Sequence, residues 1–517
     1  MSETRSTGKV FLIGAGPGDP GLITLKGVEC IRAAQVVVYD YLAGKELLGY
    51  APAGAELIYA GKKGGNHSMN QEDINDLLVA KGLAGKTVAR LKGGDSFIFG
   101  RGGEEALALR RAGVPFEVIP GVSSAYAVPA CAGIPVTHRG IAADVAFITG
   151  HEDPAKPESM IKWDKISTGV GTLVFLMGVK NISLIVENLI RNGRSPETPV
   201  ALIRWGTTPR QETITGNLSN IVDLARERRF QAPAITVVGE VVKLREELRW
   251  FEDRPLFGRR VVVTRSRAQA SVLTGALAAA GAEPVEFPTI KVVPPAGGYA
   301  DLDAAISGLK GEAATAYDWV IFTSVNGVEH FFTRLDLVAD IQDLQGIKLG
   351  AIGPATAAAL RQRGLKPDFV PAEYRAESIV DGLLDLGIKG KRVLIPRAKE
   401  AREVLPESLA AAGARVKVVT AYETVREDAG TDRMRRMLAA GEIDIITFTS
   451  SSTVRNFAAL LNGMDLAGIP ASVIIACIGP VTAETARGLG LRVDIVAEKF
   501  TIPGLMEAIV KAAAGRA

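Results

Sequence analysis

Glycine-rich segments with polar residues inside them are the first feature of this chain that could do chemistry. Residues 16–21 read Gly-Pro-Gly-Asp-Pro-Gly, and Asp40 follows a strand-like VVVY, as in a G-x-G-x-x-G dinucleotide-binding turn. Such a turn holds a pyrophosphate with backbone N–H groups at a helix N-terminus. Pro17 and Pro20 have no N–H to donate, so a dinucleotide-dependent dehydrogenase stays open as one interpretation, with two donors missing.

Two further glycine-rich segments argue for a compact ligand. Residues 91–105 read LKGGDSFIFGRGGEE, and residues 119–140 read IPGVSSAYAVPACAGIPVTHRG. Each is expected at the carboxyl end of a strand, where open α/β sheets bind their ligands. Gly93 and Gly94 would let the backbone approach such a ligand closely. Three segments of this kind favour a cleft whose backbone wraps a compact ligand.

A duplication in the second half repeats a set of polar turns. Ser324 and Ser450 occupy equivalent positions 126 residues apart, and Thr-Ser and Gly-Pro-x-Thr turns recur with them. Common ancestry alone explains the matching apolar positions, but the repeated polar turns indicate two similar α/β lobes that line a ligand cleft with strand-end loops. The matching segments are YDWVIFTSVNGVEHFF (317–332) with IDIITFTSSSTVRNFA (443–458), KLGAIGPATAAALRQRGL (348–365) with IIACIGPVTAETARGLGL (474–491), and RVVVTR (260–265) with RVLIPR (392–397).

The elements that must position these segments alternate between strand-like and helix-like patterns. Apolar runs that end in glycine or polar turns, among them KVFLIGAGPG, AQVVVYD and TLVFLMG, are separated by helical segments. This alternation predicts an α/β fold with mostly parallel sheets. The pattern is interrupted over residues 241–260, which carry charges and a proline, and it restarts with RVVVTR. We therefore place a domain boundary near residue 250.

Composition excludes several classes of protein. The 517 residues are 47% hydrophobic, with a net charge of +3, three cysteines and four histidines. A chain of this length supports several globular cores, and so small a charge, without basic tracts, argues against nucleic-acid binding. Scattered cysteines predict a reducing, cytoplasmic setting. No cysteine–histidine spacing suits a metal, and neither a signal peptide nor a membrane span is expected.

Ordered motifs in the first half carry a family resemblance. They are VVYD (37–40), GKKGGNHSMNQEDIN (61–75), RLKGGDSFIFGRGGEE (90–105), PGVSSAYAVPACAGIPVTHR (120–139) and PAITVVGEVV (233–242). Over residues 8–245 the sequence resembles uroporphyrinogen-III C-methyltransferase, of the tetrapyrrole methylase family. One departure is Gly94-Asp95-Ser96, where the family has Gly-Asp-Pro. The change loosens that turn but removes no proposed contact.

The repeated half carries a second resemblance. FTSxNGV, IGPxTA and VxxYET occur at residues 322–328, 352–357 and 419–424. Over about residues 258–515 the sequence is similar to uroporphyrinogen-III synthase. The chain is thereby identified as a fusion of the two families, without the dinucleotide-binding domain that a siroheme synthase fusion would add.

The resemblance implies an architecture. A two-lobed tetrapyrrole-methylase fold would be followed by two flavodoxin-like lobes, and the chain would leave the first of these near Pro288 and return to it after about Ala421. A homodimer through the methyltransferase half is also expected. The expected bounds are 1–250 for the methyltransferase and 258–517 for the synthase, whose lobes would comprise about 258–288 plus 425–517, and about 294–421.

For the first half, the resemblance implies transfer of methyl groups from S-adenosylmethionine to C2 and C7 of uroporphyrinogen III, giving precorrin-2 for siroheme or cobalamin synthesis. The family places Asp40 as proton acceptor and Lys62 as proton donor. Arg101 and Glu104 would face the tetrapyrrole, and Arg139 is a further candidate for binding its carboxylates. The implied donor contacts are Pro17, Gly93, Gly94, Asp95, Ile98, Ser123, Ser124, Met177 and Gly206.

Structural alternatives stay open for several of these residues. Asp95 could hydrogen-bond the ribose or the amino group of the donor, whereas Asp40 could simply close a turn after its strand. Met177 could be a core residue at the end of a strand. Arg101 and Glu104, three residues apart, could pair with each other and pin their loop.

For the second half, the resemblance implies closure of hydroxymethylbilane to uroporphyrinogen III with inversion of the last ring, a reaction that needs no cofactor. Loss of the hydroxyl group leaves an azafulvene cation that the pyrroles stabilise, so the protein mainly holds the chain in place. Tyr422 matches a tyrosine that aids departure of the hydroxyl, with packing between the lobes as the alternative. The candidate substrate contacts are Arg265, Ser324, Asn326, Arg397, Ser450, Ser451 and Thr482.

Two rival interpretations come from other classes of protein. The first half could be an NAD(P)-dependent dehydrogenase, which NAD(P) but not S-adenosylmethionine would saturate. The duplicated half could be a small-molecule-binding module without catalytic activity, which would not close hydroxymethylbilane. The expected partners are tetrapyrroles, without nucleic acid and without a membrane.

Overall fold

Four five-stranded sheets organise the part of the chain that the structure describes. The computed structural model describes residues 7–61, 69–151, 159–265, 267–309, 316–371, 376–401, 403–461 and 464–515. The chain divides into two compact units, called the first and the second unit below. The first comprises Met1–Arg260, Leu277–Glu283 and Ala513–Ala517, and the second Val261–Ala276 and Pro284–Ala512. The predicted α/β fold class, with two lobes in the second half, is confirmed.

The first sheet is parallel throughout. Its strands are β1 (Val10–Gly14), β2 (Val36–Tyr39), β3 (Glu56–Tyr59), β4 (Val88–Lys92) and β5 (Phe116–Ile119). They lie in the order β3-β2-β4-β1-β5, and every neighbouring pair is parallel. The central strand β4 is buried at all of its residues, charged ones included. All five strands therefore end at one edge, where the glycine-rich segments begin.

Helices cover both faces of the first sheet, and one further helix follows its last strand and packs on the second sheet. They are α1 (Leu25–Arg32), α2 (Gln71–Leu83), α3 (Gly102–Arg111) and α4 (Ser124–Cys131), with short 3-10 turns at Pro20–Leu22 and Lys45–Tyr50. Asn70 and Asp73 form a capping box that starts α2. Helices α2 and α3 pack on one face of the sheet and α1 on the other, whereas α4 packs on the second sheet.

The second sheet is mixed, unlike the mostly parallel sheets that the sequence predicts. Its strands are β6 (Val145–Thr149), β7 (Thr172–Leu176), β8 (Pro199–Arg204), β9 (Glu212–Asn217) and β10 (Ala234–Val238). In the order β6-β7-β10-β8-β9, only β6 and β7 are parallel. The short segment 205–211 joins β8 to β9 as a hairpin, which forces an antiparallel pair.

Further helices cover this second sheet and close the first unit. They are α5 (Trp163–Gly169), α6 (Ile182–Arg191), α7 (Ile221–Glu227) and α8 (Arg245–Leu248), with 3-10 turns at Val179–Asn181 and Glu240–Leu244. Helices α6 and α7 bury their apolar faces against Phe175, Leu202 and Val238. The opposite face of the sheet packs on α4 through Ala125 and Val128.

The third and fourth sheets belong to the duplicated half. Their strands are β11 (Arg260–Val263), β12 (Glu283–Glu286), β13 (Ile290–Val293), β14 (Trp319–Phe322), β15 (Lys348–Ala351), β16 (Arg392–Ala398), β17 (Arg415–Arg426), β18 (Ile445–Phe448), β19 (Ile474–Cys477) and β20 (Ile495–Val496). The third sheet has the order β12-β11-β18-β19-β20 and the fourth β13-β17-β16-β14-β15. In the fourth, β13 and β17 are antiparallel and the other pairs parallel.

The helices of the duplicated half follow the same repeat as its strands. They are α9 (Arg267–Ala279), α10 (Ala300–Ser307), α11 (Val325–Val338), α12 (Pro354–Gln362), α13 (Ala376–Asp385), α14 (Val404–Ala411), α15 (Thr431–Ala439), α16 (Ser451–Leu460), α17 (Pro480–Gly488) and α18 (Ile502–Ala514), with a 3-10 turn at Ile341–Leu344. Ser324 caps α11 and Ser450 caps α16, while α12 and α17 both begin with proline, whose missing N–H costs nothing there. No helix in the described part of the chain is long and apolar enough to span a membrane.

Candidate functional sites

Three loops that leave the first sheet meet at its carboxyl edge. Gly16 and Gly94 exchange two backbone hydrogen bonds, with nitrogen–oxygen distances of 3.2 and 2.7 Å. A Cβ on Gly121, after β5, would lie 2.5 Å from the carbonyl oxygen of Gly94 and 2.6 Å from the Cα of Gly14. Only glycine allows so close a crossing. The glycine-rich segments that the sequence assigns to one cleft are therefore in contact.

Asp95 ties two of these loops together. Its Oδ1 accepts a hydrogen bond from the N–H of Phe97 at 2.7 Å, and its Oδ2 accepts one from the N–H of Gly121 at 2.8 Å. Each carboxylate oxygen keeps a second lone pair for a ligand. The loop-clamping role was not foreseen from the sequence, and the contact of Asp95 with a methyl donor stays a prediction.

The N-terminus of α4 faces the same place. A Cβ on Gly94 would lie 3.6 Å from the nitrogen of Ser124 and 3.9 Å from the Cα of Ser123, and the φ of +70° at Gly94 favours glycine. The Oγ of Ser123 accepts a hydrogen bond from the N–H of Ala125 at 3.2 Å. Because helix N-termini carry partial positive charge, Gly94, Ser123 and Ser124 form a surface suited to a strongly polar or anionic group.

The loop after β8 meets the loop after β1. The N–H of Asp19 donates to the Oγ1 of Thr207 at 3.1 Å. Gly206 packs closely on Val128 of α4. Pro17 and Gly206, which the resemblance assigns to one donor site, therefore lie in adjoining loops, one of which packs on α4.

Five of the six non-glycine residues with a positive φ in the described part of the chain lie in loops of the first unit that carry predicted site residues. Met177 directly follows β7 with a φ of +59°, and its side chain is 50% exposed, which does not fit a core methionine. Ile98 donates its N–H to the carbonyl of Asp95 at 3.4 Å. Such strain costs about 1–3 kcal/mol per residue and clusters at functional sites. The non-glycine residues concerned are Phe99, Arg101, Met177, Trp205 and Thr207.

Asp40 combines a turn with an ion pair. Its Oδ1 accepts hydrogen bonds from the N–H groups of Leu42 and Ala43 at 3.1 and 3.2 Å. Its Oδ2 lies 3.5 Å from the Nη2 of Arg90. Asp40 therefore does close the turn after its strand, which the sequence left open as an alternative. One face of its carboxylate remains accessible, since the side chain is 25% exposed. Lys62, the expected proton donor, lies outside the described residues.

A buried ion cluster beneath Asp40 was missed by the sequence analysis. Arg90 and Lys92 of β4 approach Glu105 of α3, with nitrogen–oxygen distances of 3.3 and 2.5 Å. Burial, reinforced by the nearby Arg90 charge, lowers the pKa of Lys92. The available signal was the pair of charges in VARLK, at alternate positions of an otherwise apolar strand.

Arg101 and Glu104 pair with each other at the start of α3. The Nε and Nη2 of Arg101 donate to the Oε1 and Oε2 of Glu104 at 2.8 and 2.6 Å. This bidentate hydrogen bonding raises the pKa of Arg101 and lowers that of Glu104. Both side chains are more than half exposed, so Arg101 can exchange its partner for a ligand carboxylate. Arg139 is also exposed, in the turn after α4.

In the second unit, Tyr422 lies in a chain of polar and aromatic contacts. Its hydroxyl is 3.0 Å from the Oγ of Ser324, which also accepts a hydrogen bond from the N–H of Gly327. The ring of His330 stacks on that of Tyr422 at 5.5 Å, and the hydroxyl of Tyr299 is 2.8 Å from the Nδ1 of His330. Burial lowers the pKa of His330. Ser324 and Tyr422 are thus brought together, whereas His330 and Tyr299 were not predicted.

The equivalent turn of the other lobe joins Ser451 to α17. The Oγ of Ser451 donates to the carbonyl of Val481 at 3.3 Å and receives a hydrogen bond from the Oγ1 of Thr485 at 2.8 Å. Ser450 caps α16 by accepting from the N–H of Thr453 at 3.3 Å. Thr482 is buried in the first turn of α17. The hydroxyl groups predicted for this lobe therefore share one edge of the third sheet.

The remaining predicted contacts of the second unit are buried or half-buried. Asn326 is buried in the first turn of α11. Arg397, near the end of β16, is also buried and forms an ion pair with Glu403. Arg265 follows β11, and burial lowers its pKa. Arg265 thus lies just beyond the first strand of its repeat and Arg397 within the last residues of the equivalent strand, and Arg397 would have to leave Glu403 to bind a substrate carboxylate.

The sequence matches two family profiles. Residues 9–222 match the tetrapyrrole (corrin/porphyrin) methylases, and residues 271–507 match uroporphyrinogen-III synthase HemD. The two matches follow each other without overlap. Together they cover the cleft of the first unit and the repeated turns of the second.

Individual related proteins agree with these matches. A porphyrin biosynthesis protein HemD from Ruminiclostridium josui is 38% identical over 98% of this chain and 99% of its own length. An S-adenosyl-L-methionine-dependent uroporphyrinogen III methyltransferase from Methanosarcina barkeri is 54% identical over 47% of this chain and 94% of its own length. Among solved structures, a uroporphyrin-III C-methyl transferase from Thermus thermophilus, complexed with S-adenyl homocysteine, is 40% identical over 46% of this chain and 100% of its own, with a TM-score of 0.39.

Proposed function

The chain belongs to the tetrapyrrole methylase family in its first half and to the uroporphyrinogen-III synthase family in its second, and on that premise we propose that it makes and then methylates one intermediate. It is a bifunctional uroporphyrinogen-III synthase and S-adenosylmethionine-dependent uroporphyrinogen-III C-methyltransferase. The observation that carries this conclusion is the presence of both family matches on one chain that aligns end to end with a single relative.

The two activities are consecutive. The second half closes hydroxymethylbilane to uroporphyrinogen III with inversion of the last ring. The first half then methylates uroporphyrinogen III at C2 and C7, which gives precorrin-2. We place the boundary between the two halves near residues 250–258, where the chain passes from α8 to β11.

The cleft of the first unit fits a methyl donor. S-adenosylmethionine supplies an electrophilic methyl group on a sulfonium centre. The N-terminus of α4 and Gly94 suit its polar end, and the half-exposed Met177 offers an apolar contact. Asp95 keeps the surrounding loops in register through its bonds to Phe97 and Gly121. Because methyl transfer needs in-line alignment and exclusion of water, holding these loops is the protein's main contribution.

Asp40 is the proposed proton acceptor. When a pyrrole carbon takes up a methyl group with its own electron pair, the ring system becomes cationic and must release a proton. The carboxylate of Asp40 is fixed by two backbone N–H groups and by Arg90, and it is partly open to solvent. Lys62 is the proposed proton donor. Arg101, Glu104 and Arg139 are proposed to bind the polycarboxylate substrate from the exposed rim.

In the second unit, Tyr422 is proposed to assist departure of the hydroxyl group. Its own hydroxyl can donate a proton to the leaving oxygen while Ser324, 3.0 Å away, fixes its orientation. The helix N-termini capped by Ser324 and Ser450 present backbone N–H groups to substrate carboxylates. Asn326, Ser451, Thr482, Arg265 and Arg397 complete the proposed substrate surface. Ring closure then depends on the conformation in which this surface holds the bilane.

A homodimer through the first unit is also proposed. Large apolar side chains are exposed there, among them Leu25 at 85%, Tyr41 at 64% and Phe97 at 55%. The proposal takes these side chains as part of an interface, because apolar surface that is exposed in a monomer is often covered by a partner. Light scattering of the purified chain should give twice the monomer mass, and a monomer at micromolar concentration would exclude this assembly.

Ligand binding and isomer analysis together test the proposed function. S-adenosylmethionine should saturate the protein in calorimetry while NAD(P) shows no binding, and saturation by NAD(P) instead would favour a dehydrogenase. Hydroxymethylbilane should yield the type III isomer of uroporphyrinogen. Only the type I isomer, which forms without an enzyme, would be seen if the second half were a binding module.

A further inference from the structure

Three charged side chains are buried together in the first unit. Arg90 is 3% exposed, Lys92 is 4% exposed and Glu105 is fully buried. Arg90 and Lys92 alternate along β4 and so face the same side of the sheet, toward α3. Charged residues are almost never buried to this extent unless they are paired, and desolvating them is costly. The cluster therefore needs a reason beyond filling the core.

Glu105 is the hub of the cluster. Its Oε1 lies 3.3 Å from the Nε of Arg90 and 2.5 Å from the Nζ of Lys92, and it also accepts a hydrogen bond from the Nε2 of Gln71 at 3.2 Å. Its Oε2 is buried with no hydrogen-bond partner among the described residues. One oxygen thus holds three donors from β4 and α2. This arrangement fixes the position of Arg90 more tightly than a simple ion pair would.

Arg90 connects Glu105 to Asp40. Its Nε is held by Glu105, its Nη1 donates to the carbonyl of Leu91 at 3.2 Å, and its Nη2 lies 3.5 Å from the Oδ2 of Asp40. The other oxygen of Asp40, Oδ1, is held by the N–H groups that follow it in the turn. Both oxygens of Asp40 therefore have fixed neighbours, and one of them depends on the buried cluster.

The charges of the cluster balance only when Asp40 is included. Arg90 and Lys92 bring two cations, Glu105 brings one buried carboxylate, and Asp40 is the second carboxylate in contact with them. Well-packed apolar residues often stabilise a protein as well as a buried ion pair does. Stability alone is therefore a weak reason to place these ions between β4 and α3.

We propose that Arg90, Lys92 and Glu105 are positioning residues that hold the Asp40 carboxylate in place to accept the proton released after methyl transfer. The proposal rests on the proposed role of Asp40. In that step the C–H electron pair stays in the ring system and cancels its positive charge, the proton moves to Asp40, and the carboxylic acid formed there releases it to solvent. Because all three side chains are buried, the cluster is proposed to act through Asp40 and not by contact with a substrate.

The decisive variant removes the buried ion pair as a whole. Lys92→Met with Glu105→Leu deletes one positive and one negative charge together, so no buried ion is left without a counter-charge, while Arg90 loses the acceptor of its Nε. We expect the kcat of methyl transfer to fall about tenfold or more, as for misplaced catalytic groups. The Kd of S-adenosylhomocysteine, the melting temperature and ring closure by the same full chain should stay close to wild type.

A control variant shows the effect of removing an ion pair elsewhere, and a second variant of the cluster replaces the first if the first does not fold. Lys81→Met with Glu56→Leu removes an exposed ion pair, 2.7 Å long, from the same lobe, and should leave kcat unchanged. If the buried double variant does not fold, Arg90→Lys keeps the charge but loses the three-point hold, and the same loss of kcat is expected. Wild-type kcat in either folded variant would overturn the proposal.

Asp40→Asn separates this proposal from the one on which it rests. If Asp40→Asn alone keeps wild-type turnover, the role of Asp40 is wrong. If Asp40→Asn is slow, adding Lys92→Met and Glu105→Leu should cost less than about twofold more, because residues that act through one group are not additive. A further tenfold loss in the Asp40→Asn background would show that the cluster acts elsewhere and would overturn the positioning role alone.

Discussion

Asp95→Ala is the substitution whose effect can be worked out most fully. The wild-type carboxylate accepts the N–H of Phe97 at 2.7 Å and that of Gly121 at 2.8 Å. The alanine leaves both N–H groups without this acceptor. The bond to Gly121 is partly buried and joins two loops, whereas the bond to Phe97 is exposed and local, so most of the loss comes from the first.

The expected loss of donor affinity follows from the hydrogen bond between Gly121 and Asp95. Hydrogen bonds to a charged group contribute about 1.5–3 kcal/mol, and exposed ones less. If the donor binds only when these loops are joined, a loss of about 1–3 kcal/mol corresponds to roughly 5-fold to 150-fold weaker binding. Asp95→Asn should fall between the wild type and alanine, since its carbonyl oxygen can accept one N–H while its NH₂ group opposes the other.

Calorimetry with S-adenosylhomocysteine measures this effect directly. Ring closure by the same chain serves as an internal control of folding, and Asp223→Ala, which removes an exposed ion pair on α7 of the same unit, serves as the matched variant. The Asp223 variant should bind as the wild type does. Unchanged affinity in Asp95→Ala would refute both the loop-clamping role and the placement of the donor site.

Three further predictions concern the rim, the second unit and the boundary. Arg101→Lys keeps the charge but loses the bidentate hydrogen bonding of the guanidinium group. Turnover should therefore fall about tenfold or more, while the affinity for S-adenosylhomocysteine stays unchanged. A joint fall of that affinity and of the melting temperature would mean that the Arg101–Glu104 pair only fixes its loop. Burial lowers the pKa of His330, so on acidification the unfolded chain takes up the proton first and stability falls below about pH 6.5. His330→Phe should therefore lose less stability than the wild type between about pH 7 and about pH 5, as urea unfolding would show, and an equal loss would contradict this. Chains ending at Leu248 or starting at Pro255 should each keep their own activity, and failure of both to fold would place the boundary elsewhere.

Much of the fold follows from local patterns. Apolar runs that end in glycine predict the strands of the first sheet and their common edge, and parallel strands necessarily bring their carboxyl ends together. The contacts of Gly16, Gly94 and Gly121 follow from that geometry. The mixed second sheet does not, because strand direction there depends on the hairpin after β8 and on how β10 inserts between β7 and β8.

The residues missed by the sequence analysis depend on tertiary packing. Alternating charges in VARLK look like the exposed face of a strand, and only the position of α3 above β4 shows that Arg90 and Lys92 are buried. His330 lies inside a helix pattern, and its importance appears only when α11 packs against Tyr422 of β17. The role of Asp95 at a donor site stays a prediction, and its bond to Gly121 could not be foreseen because it requires a loop that is distant in sequence.

One measurement tests the central claim most directly: mass analysis of the product that the full chain forms from hydroxymethylbilane, with and without S-adenosylmethionine. Without the donor, the account predicts uroporphyrinogen III, identified by its isomer type. With the donor, it predicts a product heavier by two CH2 units, because each added methyl group replaces a proton, together with two equivalents of S-adenosylhomocysteine. Formation of the type I isomer alone, or a type III product whose mass does not change with the donor, would contradict the account.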